Sequence, residues 1–313
     1  MSAFPRAFLT TAWVALGLAV LAACGSGDTP TAPAANVAPP TVPVSSVAFD
    51  IQFRFVGTGA SPAVRESFLR AAARWREVIV ADIGTTRLNT AAGACRDWMP
   101  AVNESVNDLL VFVYVAPFDG PDRLVAQASP CLVNAQSKLP LVGYVELDAH
   151  DADSLLARRV LDDVVLHEVG HVLGIGTLWN HRRSLLEGAG SDNPYFTGAN
   201  ARAAFDAVGG ALFAGSVVPV ENSGQSGTRD VHWRHSVFGA ELMQGFVEPG
   251  GMPLSRVTIA SLADLGYTVS FAHADSFSLM AALRVGSAYT ARPTDLGHDV
   301  GVGPIIEVGG VTR

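Results

Sequence analysis

Between residues 167 and 171 the chain reads His-Glu-Val-Gly-His, and this short run restricts the fold more than any other stretch. Two imidazoles four residues apart face the same way only on a helix, where positions i and i+4 stand one above the other. Both rings then converge on one point, and the intervening Glu168 is turned toward the space beside it. Imidazole nitrogen suits zinc, and a catalytic zinc site takes three protein ligands and keeps its fourth position open for water. The run therefore predicts one zinc ion per chain, with His167 and His171 as ligands and Glu168 as general base for attack by water on a carbonyl. Two helix histidines beside a surface glutamate are the plain alternative. The placement of the run at the end of an amphipathic helix weighs against it.

Around this helix the pattern predicts an α/β arrangement with helices packed on a twisted sheet. Val47 to Val56 alternates apolar and polar residues like a half-buried strand. Ser61-Pro62 reads as an N-cap and first helical position, followed by Val64, Phe68, Ala71, Ala72, Trp75, Val78 and Ile79 at helical spacing. Leu109 to Val115 is a continuous apolar run, expected of a strand buried on both faces. Leu141 to Leu147 reads as another strand, and Asp153 to Val172 as one helix with Val160, Val164, His167 and His171 along one face. From about 175 to 227 the chain is rich in Gly, Asn, Ser and Pro, with little periodicity beyond Ala199 to Val208. A short helix is expected from Ser255 to about Leu265, and no clear element beyond Phe271.

The N-terminus predicts export. Arg6 precedes an apolar run from Ala7 to Ala23, too short for a confident membrane span, ending in Leu-Ala-Ala-Cys-Gly at residues 21–25. That ending is similar to a bacterial lipobox, which makes 1–23 a signal peptide and Cys24 the lipidated N-terminus, anchored in the cell envelope. Ordinary secretion with an incidental cysteine is the alternative. Residues 24–45 are a Pro/Ala/Thr-rich spacer. Cys95 and Cys131, the remaining cysteines, are expected to form a disulfide in an oxidising compartment. The net charge of -8, without a basic run, argues against nucleic acid as a partner, and a monomer is expected.

The third ligand is not adjacent. After His171 the chain continues Val-Leu-Gly-Ile-Gly-Thr, with glycine at 174 and threonine at 177. Far downstream lie Asp230-Val231-His232-Trp233-Arg234-His235 and Glu241-Leu242-Met243. Together these runs resemble the leishmanolysin family of metzincins over roughly residues 46–270. In that family Gly174 ends the active-site helix, a long insertion (here about 177–227) follows, and a distant histidine in a His-Trp pair completes the zinc site. The resemblance implies a metzincin-type α+β catalytic domain over 46–272, with a twisted mixed sheet and a loop-rich C-terminal subdomain. It assigns His232 as third ligand and Met243 to the Met-turn beneath the metal. It makes Leu141 to Leu147 the edge strand along the cleft rim, where a protein or peptide substrate would add by backbone pairing. Relative to the family, neither a prodomain nor a cysteine-rich C-terminal domain is expected here; residues 273–313 have no assigned role.

Other readings stay open here. His235 is a rival ligand to His232, and Asp230 offers a carboxylate instead. His150, His181, His273 and His298 stand in polar stretches and read as solvated. The expected activity is a zinc-dependent endopeptidase acting outside the cytoplasm; the contrasting reading is a surface lipoprotein that binds zinc without catalysis.

Overall fold

The computed structural model describes residues 48–121, 123–181, 184–213, 217–247, 250–282, 294–296, 299–301 and 303–309. Residues 1–23, expected to be a signal peptide, Cys24, the expected spacer and His298 lie outside the described residues.

Strand β1 (Ile51–Val56) leads into helix α1 (Pro62–Val78), whose N-cap Ser61 accepts a hydrogen bond from the Val64 N–H at 3.3 Å. Its buried stripe of Val64, Phe68, Ala71, Ala72, Trp75 and Val78 packs on the sheet and on the motif helix. The short strands β2 (Thr85–Arg87) and β3 (Ser105–Asn107) pair with each other. Next come β4 (Leu109–Ala116), β5 (Ala126–Asn134) and β6 (Pro140–Asp148). Leu109, Val111, Val113 and Val115 of β4 join the helix-side core, while Leu110 and Phe112 join a second cluster on the opposite face. Burial on both faces explains why this strand reads as a continuous apolar run.

The segment predicted as one helix over 153–172 is two. Helix α2 (Ala149–Ala157) begins earlier, capped by the Asp148 side chain, and α3 (Leu161–Val172) carries the motif. The break falls at Arg159, whose φ of 60° lies in the left-handed region. Apolar spacing runs across the break without registering it.

Beyond α3 the chain forms β7 (Leu186–Glu187), β8 (Tyr195–Phe196), α4 (Ala199–Ala207), β9 (Val218–Pro219), α5 (His235–Phe238), β10 (Phe246–Val247) and α6 (Arg256–Leu265). Strands β11 (Thr294–Asp295) and β12 (Ile306–Val308) follow, in a region where the sequence shows no element. Among the described residues no helix is long and apolar enough to cross a membrane.

The main sheet has the order β1-β4-β6-β5-β12, with β1, β4 and β6 parallel, β5 antiparallel to β6, and β12 parallel to β5. It is a mixed sheet with helices against one face, as expected of the α/β class. The edge assignment is corrected: Leu141 to Leu147 lies in β6, paired on both sides by β4 and β5. The strand beyond it is β5, which the sequence reading passed over. Its register shifts between Pro130 and Val133, so the faces of its side chains switch partway and strict alternation is lost. Cys131 in β5 is joined to Cys95 with a Cα–Cα distance of 5.8 Å, the expected disulfide. The bridge and an Arg96–Glu146 ion pair hold the preceding loop over the second core cluster.

Candidate metal centre

Helix α3 brings His167, Glu168 and His171 to one buried place, and the loop before α5 brings His232 to meet them; all four are fully buried. The Nε2 atoms of the three histidines are mutually close: 2.9 Å for His167–His171, 3.1 Å for His171–His232 and 3.3 Å for His167–His232. Each ring has its other nitrogen committed. Nδ1 of His167 donates to the Leu242 carbonyl at 2.6 Å, that of His171 to Ile175 at 2.9 Å, and that of His232 to Thr228 at 2.8 Å. A carbonyl only accepts, so each Nδ1 carries a proton, and in its neutral form each ring presents an Nε2 lone pair toward the common centre. Three lone pairs within 3.3 Å repel unless a proton or a cation lies among them. Nitrogens held at about 2.0–2.1 Å around a tetrahedral ion would stand roughly 3.3 Å apart, so the donor set fits a divalent metal.

A fourth group completes the cluster. Asp299, also fully buried, places Oδ2 at 3.1 Å from His167 Nε2, 2.9 Å from His232 Nε2 and 3.8 Å from His171 Nε2. The three histidines and Asp299 form a potential metal-ion set with all ligand atoms within 4.8 Å of one another. Sequence reasoning missed Asp299; it sits in a glycine-rich stretch with no periodicity to mark it.

Burial dominates the electrostatics. It pushes the Glu168 carboxyl well above the usual range, and the Asp299 charge adds to the effect. Neither Glu168 oxygen finds a hydrogen-bond partner among the described residues. Burial lowers His171 to about 4, which keeps it neutral and free to coordinate. For His232 burial acts downward, but the nearby Asp299 carboxylate outweighs it and the net movement is upward. Burial opposes ionisation of Asp299 too, yet the surrounding imidazoles hold it well below the carboxylate range.

The support beneath the histidines is specific. Met243 is fully buried against α3, so close that a Cβ added at Gly170 would lie 2.7 Å from its Sδ. Gly174, three residues past His171, has φ 107° and turns the chain out of the helix. Trp233 stacks between Trp179 and Phe238, with centroids 4.7 and 5.5 Å away. Its indole N–H donates to Thr258 Oγ1 at 2.8 Å, and that hydroxyl donates to Glu241 at 2.6 Å. Glu241, fully buried, also accepts from the Met243 N–H at 2.6 Å and the Ser255 N–H at 3.2 Å. One carboxylate thus joins the residue beside His232 to the turn bearing Met243.

The rivals for third ligand lie elsewhere. His235 Nδ1 meets Gln244 Oε1 at 2.9 Å, and Asp230 accepts from the Gly190 N–H at 2.9 Å. His150 meets Asp148 at 3.1 Å while half exposed, and His273 is exposed. His181, expected to be solvated, instead faces Glu307 at 3.5 Å with only 24% of its side chain exposed. A groove of about 380 Å³ is lined by residues on either side of this cluster in the chain, among them Ser129, Gly176, Thr177, Val231, Val300 and Gly301.

Compared with known proteins, residues 96–285 match the family model described as Leishmanolysin, Peptidase_M8. The match covers more than half of the chain and includes the three histidines, Glu168 and Met243, but stops short of Asp299. No curated protein matches the chain.

Proposed function

Because the chain belongs to the leishmanolysin family of metallopeptidases, we propose that it is a zinc-dependent endopeptidase acting on proteins outside the cytoplasm. The observation that carries the proposal is the convergence of three imidazoles, each tied through Nδ1 to a backbone carbonyl and turning Nε2 to a common centre, beside a buried glutamate without a hydrogen-bond partner among the described residues. His167, His171 and His232 would hold the ion, in a metzincin-type domain whose Met-turn methionine is Met243. Zinc bound there supplies Lewis acidity, bringing the pKa of a coordinated water toward about 7 and polarising a carbonyl.

Glu168 follows His167 directly on α3, and its oxygens keep all their acceptor capacity for a proton of the attacking water. Burial raises its basicity above that of an ordinary carboxylate, the direction that suits a general base. It would take that proton and return it to the leaving amine. The Nδ1 bonds to Leu242, Ile175 and Thr228 lock the rings, so no reorientation is needed during the reaction. Export is supported by the apolar N-terminal run ending at Cys24 and by the Cys95–Cys131 disulfide, which suits an oxidising compartment. Lipidation at Cys24 would tether the domain to the envelope.

A second reading has one observation in its favour. Asp299 gives the site four protein ligands, the number typical of a structural zinc site, which suits a surface lipoprotein that binds zinc without catalysis. The test is zinc stoichiometry together with casein hydrolysis by the full chain, in the wild type and with Asp299→Ala. One zinc per chain is expected, with hydrolysis in the Asp299→Ala background that disappears on adding Glu168→Ala while zinc stays bound. Zinc without hydrolysis in either background would refute the peptidase and favour the binding reading.

A further inference from the structure

Asp299 does not reach the histidines alone; the described stretches before and after it are each tied to a neighbouring strand. On the side of Met243, β11 pairs with β10 (Phe246↔Asp295, Val247↔Thr294), and the Leu296 N–H donates to the Gly245 carbonyl at 3.3 Å. Leu296 is fully buried. Asp299 then enters the histidine cluster. Immediately afterwards the segment joins the outer edge of β5: the Ala128 N–H donates to the Asp299 carbonyl at 2.7 Å, and the Gly301 N–H donates to the Ala128 carbonyl at 3.1 Å. Strand β12 continues along β5, with Ile306↔Leu132, Glu307↔Val133 and Val308↔Asn134 in register. Glu307 meets Lys138 Nζ at 3.1 Å and His181 Nε2 at 3.5 Å. Any Cβ at Gly301 would lie 2.3 Å from the Tyr144 hydroxyl oxygen, so only glycine permits this path.

From these contacts we infer that the stretches 294–296, 299–301 and 303–308 form a built-in strap that holds the peptidase latent, with Asp299 as fourth metal ligand and the β5 edge closed to substrate. The inference rests on the peptidase reading. The strap occupies the two features an extended substrate needs, a free sheet edge and an open position at the metal. It also resists cleavage by the site it covers. The Asp299 peptide carbonyl is turned into the sheet toward Ala128, so the segment offers the histidines a side-chain carboxylate and not that peptide bond. Activation then requires the strap to peel from β5, which breaks edge pairing and a few side-chain contacts but leaves the core strands β1, β4 and β6 untouched.

The experiment uses the full chain loaded with zinc or cobalt, as wild type, Asp299→Ala and Gly301→Val. Gly301→Val keeps the carboxylate but denies the strap its path past Tyr144, and so stands in if Asp299→Ala folds poorly. Three readouts are taken: peptide hydrolysis, the visible d–d absorption of the cobalt form, and the rate of metal release to a chelator. Loss of an outer partner alone changes metal affinity about tenfold or more. Both variants are therefore expected to release metal at least about tenfold faster, to shift the cobalt bands, and to hydrolyse peptides at least about tenfold faster than wild type. Unchanged cobalt bands and metal release in both variants would overturn the strap, as would a fall in hydrolysis. Shifted bands with no hydrolysis in any form would overturn the peptidase reading and the brake with it, whereas unshifted bands in active chains would overturn the brake alone.

Discussion

Replacing Glu241 by alanine tests whether one buried carboxylate sets the floor of the metal site. Its two oxygens accept from the Met243 N–H, the Ser255 N–H and the Thr258 hydroxyl, with nothing exposed to water. Hydrogen bonds to a charged acceptor contribute about 1.5–3 kcal/mol each. Against them stands desolvation, the largest influence on this group, which leaves its pKa above the usual glutamate value. Breaking a buried network of this kind typically costs about 3–5 kcal/mol, a large share of the roughly 5–15 kcal/mol that holds a domain folded. The damage should also reach the metal. The Leu242 carbonyl that orients His167 lies one residue along, and Trp233 beside His232 hangs from the same Thr258. Metal affinity is expected to fall about 10–100-fold. Glu241→Gln should be intermediate, because whichever way the amide turns it sets an NH₂ against a donor. Urea unfolding at constant m-value measures the first effect, and competition with a chromophoric chelator measures the second. A loss below about 1 kcal/mol with unchanged metal affinity would refute the reasoning.

Two further predictions concern stability. Burial raises Asp163, near the start of α3, from 3.8 to about 6; its carboxyl is thus best tolerated in the protonated form, and that advantage is complete below pH 3.8 and lost as pH rises through 6. Asp163→Asn should therefore stabilise the protein by about 1–3 kcal/mol above pH 6, with the gap from wild type closing near pH 4; a pH-independent difference in melting temperature would contradict this. The Cys95–Cys131 bridge closes a separation of 36 residues, so reduction should lower unfolding stability by about 2–4 kcal/mol, read as a reductant-dependent shift of the urea midpoint; no shift would show that the surrounding loop holds itself.

The parts of this fold legible in the sequence are those written by local physics. Ser61-Pro62 announces α1, the apolar run at 109–115 announces a two-sided strand, and Ser255 announces α6. The spacing of His167 and His171 itself demands a helix. His232 is different: nothing local marks it, and only the resemblance of distant motifs brought it forward. What stayed hidden depends on long-range partners. Strand β5 loses its alternation at the Pro130 irregularity, and Arg159 breaks a helix while the apolar spacing continues across it. Glu241 reads as an ordinary acidic residue until Met243, Ser255 and Thr258 are seen around it. Asp299 lies 132 residues from His167, which it meets at 3.1 Å, and no pattern in one chain encodes that distance.

The shared focus of the histidines has a mechanical meaning as well. His171 and His232 are 61 residues apart in the chain, so an ion gripped by both is a removable cross-link. In polymer terms, closing a loop of that length withholds about 4 kcal/mol of disorder from the unfolded ensemble. The stretch between them, with its short β7, β8 and β9 ladder and the α4 helix, draws its order from both ends of that loop. The ion thus acts as a clasp on this lobe: its departure would lengthen the tether and loosen the groove wall before the parallel strands of the sheet felt any change.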